Sequence, residues 1–493
     1  MAVLLIAVLG LPAVGALLAA VTRAGKLIGT AAAALSFLAS VGLWFARTIP
    51  DGHAAIRPWH QVNVSWVPAI GLRFHLGVDG ISYPLLVLTT LLTLLCCLYT
   101  LCNVEDVGRG RLLIALLLAV EVGIAGVFLS LDLILFFLFF EVVLLPMYAI
   151  ITGWGGSQRR RAGLKFVLYT LFGSILLLVG VLLITVKTGT ADLVALSSGR
   201  GAALSSGTQL AAFALVGLAF AVKSPLWPLH SWLPDAHTEA PTVGSVILAG
   251  VLLKMGTYGL LRVGVGVLPD GARRAASVLG VLAVAAILVG SLVCLAQTEL
   301  KRLIAYSSVG HMGFVLLGIA TMTATGFTAA LVGNIAHGVI TSLLFFMAGA
   351  VKHRTHTGSL ADLGGLREKA PALSGVLGFA AIASLGLPGL AGFWGEAFAV
   401  VASLQRGGLW IALAVLAAIG GVLTAAYFMR LLRRVTHGRS SPAVGAITIP
   451  AVRGAELVAW SPLVALVVAV GLVPATVLGM AHGPVAALVA AIR

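Results

Sequence analysis

Charge is what this chain has least of. Only 10% of its 493 residues are Asp, Glu, Lys or Arg, and just 16 are acidic, whereas about a quarter of a soluble domain is charged. So little polar surface excludes an ordinary water-soluble fold. Cysteine is nearly as scarce. Cys96 and Cys97 are adjacent, Cys102 and Cys294 stand alone, and no Cys-x-x-Cys or Cys/His spacing suggests a disulfide framework, an iron–sulfur cluster or a zinc site. Gly pairs such as Gly264-Val-Gly266 lack the strand–turn–helix setting of a nucleotide site. The residues Met1–Ala20 have no basic segment ahead of their apolar run, and Arg23 and Lys26 follow it instead, so a retained first helix is expected and not a cleaved signal peptide.

What is present is apolar. Hydrophobic residues make up 60% of the chain and its mean hydropathy is +1.11. Runs long enough to cross a bilayer, about 20 residues each, recur along the whole length, which predicts an all-α polytopic membrane protein. They fall roughly at 2–20, 27–46, 78–101, 111–130, 132–152, 163–186, 209–233, 241–264, 275–298, 301–323, 327–351, 372–404, 408–432 and 460–482, about fourteen helices in all. The loop from Arg47 to His75, with Pro50, Pro58, Trp59, Trp66 and Pro68, reads as an interfacial lid with aromatic anchors. Segment 187–208 reads as an ordinary loop.

The net charge of +15 is unevenly distributed. Loops after odd-numbered helices hold 19 Lys and Arg, among them Arg159, Arg160, Arg161, Lys352 and Arg354, and the opposite side holds 10. The positive-inside rule then puts both termini outside, on the periplasmic side of a bacterial-type cytoplasmic membrane. Two basic residues, Lys223 and Lys254, fall inside apolar helices and need another explanation.

Two segments interrupt the helical pattern. Lys223-Ser-Pro225-Leu-Trp-Pro228-Leu-His230-Ser-Trp-Leu-Pro234 puts three prolines in the seventh helix, and Leu387-Pro388-Gly389-Leu-Ala-Gly392-Phe-Trp-Gly395-Glu396 interrupts the twelfth. Both should be discontinuous. Lying five helices apart, the breaks predict two five-helix repeats, helices 4–8 and 9–13, inverted because five is odd. The expected division is residues 1–110 for the first three helices, 111–264 and 265–434 for two repeats each forming a half-channel, and 435–493 for one last helix. Broken backbone at membrane depth should line an aqueous cavity.

Sparse charges at that depth are costly, and so are candidates for function. Glu141 lies in an unbroken apolar run, Lys223 beside the first break, Lys254 among small residues and Glu396 after the second break. A carboxylate near a lysine forms a two-state element: close together both ionise, and apart the lysine holds its proton more weakly. His230, His311 and His337 could pass protons between them. Each residue also has a plainer reading, the histidines as helix-to-helix hydrogen bonds and the Glu–Lys pair as a pin between helices. For Glu121 the two readings are even. Asp132 reads as a helix cap, and Glu299, Lys301 and Arg302 as a solvated helix boundary. Asp235, His237 and Glu239 read as caps of the eighth helix somewhat before a proton entrance.

The run Phe220-Ala-Val-Lys-Ser-Pro-Leu-Trp-Pro-Leu-His-Ser-Trp-Leu-Pro-Asp-Ala-His-Thr-Glu-Ala-Pro241, with Lys301-Arg-Leu-Ile-Ala-Tyr-Ser-Ser-Val-Gly-His-Met-Gly313, resembles the signatures of the antiporter-like subunits of respiratory complex I and their Mrp antiporter relatives. The resemblance runs from about the third helix through the thirteenth. A glutamate rather than a lysine at position 396, and the stretch Leu131–Tyr148, are similar to the subunit M (chain 4) branch of NADH-quinone oxidoreductase. The resemblance implies proton translocation coupled to quinone reduction elsewhere. Glu141 and Lys223 would be an ion pair, Lys254 the central relay, Glu396 the terminal carboxylate, and His230, His311 and His337 the hydrated axis between them. It implies no cofactor in this chain. NADH, FMN, iron–sulfur clusters and quinone would belong to other subunits, and the partners would be L-type and N-type membrane neighbours and a hydrophilic redox arm. A subunit of a Mrp-type Na⁺/H⁺ antiporter and a non-pumping scaffold are the rival readings.

Overall fold

In a computed structural model, which describes residues 1–45, 47, 55–104 and 107–492, the apolar runs are helices. They are α1 (Ala2–Val21), α2 (Gly25–Gly42), α3 (Ser82–Asn103), α4 (Val107–Leu129), α5 (Leu133–Trp154) and α6 (Arg159–Thr188). The seventh is split into α7a (Ser206–Lys223) and α7b (Trp232–Glu239). Then come α8 (Thr242–Val265), α9 (Pro269–Ala296), α10 (Leu300–Ala320) and α11 (Ala324–Thr355). The twelfth is split into α12a (Pro371–Ser384) and α12b (Ala391–Arg406), and α13 (Leu409–Val435), α14 (Gly454–Leu472) and α15 (Ala475–Ala491) complete the chain. Among the described residues 13 helices are long and apolar enough to cross a membrane, and the first half of the split twelfth is a shorter apolar helix.

Both expected breaks are present. After Lys223 and after Ser384 the chain leaves helical geometry for a short turn, with Gly386 and Gly389 at positive φ in the second break. There proline supplies no amide and glycine supplies the left-handed turn.

The last expected helix, 460–482, is corrected. Pro474 removes an amide donor at the end of α14, and the chain restarts as α15. The segment read as a lid is a hairpin of β1 (His60–Val67) and β2 (Leu72–Val78), turning at Gly71 with φ 67°. Its alternation had been masked by Pro58 and Pro68, which flank β1 and do not interrupt it. Trp59 packs against Trp44 and Tyr83; Pro50 lies outside the described residues. Segment 187–208 contains the short helix Leu193–Ala195, capped by Asp192.

One pairing occurs twice, on opposite faces. Between the α4–α5 and α6–α7a connections, the Leu133 amide donates to the Ala191 carbonyl and the Leu193 amide to the Leu131 carbonyl. Between the α9–α10 and α11–α12a connections, Leu300 donates to Gly358 and Leu360 to Thr298. In both, the next helix starts on a carboxylate cap: Asp132 accepts from the Ile134 and Leu135 amides, as read from sequence, and Glu299 from the Arg302 amide.

Candidate functional site

Helix α8 is buried from Val243 to its end and carries Lys254 at its centre, 0% exposed. Just ahead of it, Leu248–Leu252 takes π-helical hydrogen bonding, a local widening common at functional positions. There the Ala249 carbonyl accepts from Lys254 Nζ at 2.5 Å, and the same nitrogen meets His337 Nδ1 of α11 at 2.6 Å. The approach depends on glycine: a β-carbon on Gly338 would lie 2.7 Å from the Gly250 carbonyl oxygen, closer than real atoms come. The small residues around Lys254 thus serve helix-to-helix approach.

From His337 the polar line continues. Its ring centroid is 5.8 Å from that of His311, beside a small cavity of about 20 Å³ lined by both histidines, Thr341, Ser384 and Glu396 together with apolar Phe314, Val315 and Ile340, enough for about one water. His337 Nε2 is buried without a protein partner and is available to such a water. His311 meets Glu396 Oε1 through Nδ1 at 2.7 Å and the Ser384 hydroxyl through Nε2 at 2.9 Å. Both partners flank the break in the twelfth helix, so the break is what turns them toward His311. Glu396 also borders a wider apolar groove between α12b and α13, reaching Gly386, Val401 and Val422.

The other half is less connected. Lys223, 2% exposed, sits at the end of α7a with Nζ 4.7 Å from the Phe140 ring centroid, a cation–π contact. Glu141, the next residue after Phe140, keeps one buried carboxylate oxygen without a partner. No ion pair within 4.0 Å joins Glu141 to Lys223 among the described residues. Ser224, next to Lys223, has an unpartnered hydroxyl that lies against Gly256 of α8, and Thr257, three residues past Lys254, donates to Asn334 at 2.9 Å. His230, in the first break, stands apart from the line: its ring packs edge-on to Tyr306 at 6.2 Å, and its Nδ1 is unpartnered.

Several residues read differently in three dimensions. Lys301 is not solvated, contrary to its place at a charged helix boundary: it is 5% exposed and donates to the Ala240 carbonyl at 2.9 Å. Arg262, counted with a loop, is 2% exposed on a second π-helical stretch, Leu260–Val265, and pairs with Asp79. Arg354, also counted with a loop, is tied by two hydrogen bonds, 2.7 and 2.9 Å, to buried Glu456 of α14. No side chain caps α8, which begins on Pro241. Instead Asp235 pairs with Lys165 and Arg302, and Glu239 accepts from the Gln158 amide, at a recess on the basic face. His237 is 0% exposed, stacked on Phe345 at 4.5 Å, with neither ring nitrogen partnered. Glu121 lies off the line, buried against α2, accepting from the Ser36 hydroxyl at 2.6 Å. Asn334 and Ser384, which the sequence reading passed over, are uncharged, and a lone amide or hydroxyl in an apolar helix gives little signal.

The residues 130–424 match the family model described as "NADH:quinone oxidoreductase/Mrp antiporter, TM". The chain belongs to that family. It is 40% identical over 418 residues to NADH-quinone oxidoreductase subunit M of Rickettsia bellii, covering 85% of this chain and 83% of that one. Respiratory complex I from Thermus thermophilus with bound NADH contains a chain of the same fold at TM-score 0.86 and 30% identity, covering 99% of this chain and 100% of that one. The Mrp complex from Dietzia sp. matches at TM-score 0.84 and 25% identity, over 100% of this chain but 52% of that one. Family members thus occur in redox-linked and in antiporter assemblies, and this chain covers 83% of the Rickettsia bellii relative and all of the Thermus thermophilus chain.

Proposed function

We propose that this chain is a proton-translocating membrane subunit of an NADH:quinone oxidoreductase, with its termini on the outer face of a bacterial cytoplasmic membrane. The observation that carries the reading is the line Lys254–His337–His311–Glu396, whose two hydrogen bonds of 2.6 and 2.7 Å flank a water-sized cavity at a depth where ionisable groups are otherwise excluded. Lys254 gives its proton to His337 Nδ1, the cavity passes it to His311, and Glu396 delivers it into the groove beside α13. Lys223 and Glu141 gate the supply. With the pair open, Lys223 lacks the carboxylate that would hold its proton, and closure recaptures one. The recess at Asp235 and Glu239 serves as the inner entrance.

The doubled pairing of connections, with its two carboxylate caps and two broken helices, supports two inverted repeats, 111–264 and 265–434, each built round a half-channel. NADH, flavin, clusters and quinone are placed in companion subunits, and the chain contributes no redox group of its own. The higher identity and fuller coverage of the subunit M relative favour this reading over a Mrp-type antiporter. The test is proton uptake by vesicles carrying the assembled complex during quinone reduction. Lys254→Ala should reduce the gradient by about 100-fold, the order contributed by a positioned proton-transfer group. Undiminished pumping would overturn the relay, and pumping that follows sodium would favour the antiporter.

A further inference from the structure

Lys254, Tyr258 and Arg262 stand four residues apart on α8 and so form one stripe from the middle of the protein toward the hairpin face. The stripe rises about 12 Å over eight residues. Its polar members make a conspicuous candidate for a shortcut from the central lysine to the outside, bypassing His337 altogether. Tyr258, 2% exposed, donates through its hydroxyl to the Phe128 carbonyl at 3.0 Å and packs on Phe128 and Phe136. Arg262 lies over the Tyr258 ring, 5.3 Å from its centroid, and its Nη2 pairs with Asp79 Oδ1. That carboxylate oxygen also accepts from the Ile81 and Ser82 amides at 3.0 and 3.1 Å, which fixes the pair to the start of α3. Arg262 Nε and Nη1 and Asp79 Oδ2 are buried without protein partners. This end of the stripe is therefore polar and suited to water.

We propose that Arg262, held by Asp79, is an electrostatic plug that closes the outer end of the α8 stripe and obliges a proton on Lys254 to leave through His337. A guanidinium does not deprotonate in a protein, so the charge it places there is permanent. Its fixed charge opposes an approaching hydronium, as arginines do in pores that exclude cations. Asp79 supplies the geometry: its Oδ1 holds both Arg262 and the first turn of α3, so the cation cannot swing clear. The stretch Leu260–Val265 widens the helix where the guanidinium must be accommodated.

The inference rests on the relay reading, and the test separates the two. Vesicles carrying the assembled complex are given an imposed pH gradient with electron transfer inhibited, and its decay is followed. Arg262→Gln should leak about tenfold faster than the parent, the effect of removing a barrier of about 1.4 kcal/mol. Arg262→Lys, which keeps the charge, should stay tight. If Arg262→Gln fails to assemble because Asp79 is left buried and unpaired, the double variant Arg262→Gln with Asp79→Asn removes both charges together and should leak equally. Parent-like tightness in the charge-free variants would overturn the plug, and so would a leak in Arg262→Lys matching Arg262→Gln, which would trace to lost packing. Failure of the parent complex to pump during turnover would count against the relay reading itself.

Discussion

The two halves of the buried line each hold a lysine and a glutamate yet stand in opposite states. In the second half, the His311 ring is held on both sides, by Glu396 and by the Ser384 hydroxyl, and Lys254 is in contact with His337. In the first half, Lys223 faces an aromatic ring and Glu141 leaves a buried oxygen unpartnered. Rings and ammonium held by hydrogen bonds are restrained, whereas an unpaired buried carboxylate has an energetic reason to move toward a partner. The difference teaches that the switch belongs at the first break and the conduit at the second.

The sharpest way to break that comparison is Lys223→Arg. Arginine would keep any structural ion pair with Glu141 but cannot release its proton. Pumping should fall by at least about tenfold, given the size of proton-transfer contributions, and retention of full pumping would return the pair to a purely structural role. Next in size is Glu396→Gln, which keeps a hydrogen bond to His311 while removing the titrating carboxylate. A several-fold loss of pumping, about 3- to 10-fold, is expected, with Glu396→Asp in between; equal pumping by Gln and parent would end the conduit at His311.

Glu121→Gln sharpens the contrast from outside the line. Glu121 is bonded to Ser36 and has no cation within 4.0 Å among the described residues, so a neutral isostere should keep pumping within about twofold. A loss as large as that of Glu396→Gln would put a third carboxylate in the pathway.

The smallest effect is expected at the hairpin. Burial pushes the Asp192 carboxyl up, but hydrogen bonds from His75, at 2.8 Å, and from the Ala195 amide bring it below the ordinary aspartate value. A depressed carboxyl stabilises above its unfolded value and loses that contribution as pH falls through the folded one. Amide exchange in His60–Val78 should therefore accelerate only below the ordinary aspartate range, near pH 4, and Asp192→Asn should abolish that acid step. An unchanged step in Asp192→Asn would assign it to another carboxyl.

Much of this was readable along the chain because the bilayer imposes a one-dimensional rule. Each crossing needs its own apolar run, so helix number followed from hydropathy, and the two breaks followed from Pro225, Pro228, Pro388 and Gly389. Lys223, Lys254, Glu141 and Glu396 stood out because charge in such runs is costly. Misreadings gathered where a run ends. Arg262, Lys301 and Arg354 lie within a turn or so of a helix end, and sequence alone cannot tell a snorkelling side chain from one turned inward.

What the sequence determined by itself was therefore the membrane class, the crossings, their interruptions and the cost of each buried charge, all set by local composition against a fixed apolar thickness. Only the tertiary structure decided which charges meet. The contact of Lys254 with His337 needs two helices far apart in sequence to close at Gly250 and Gly338, and whether Glu141 pairs with Lys223 is decided by where their side chains are packed. Packing sets such distances, and packing depends on every neighbour at once.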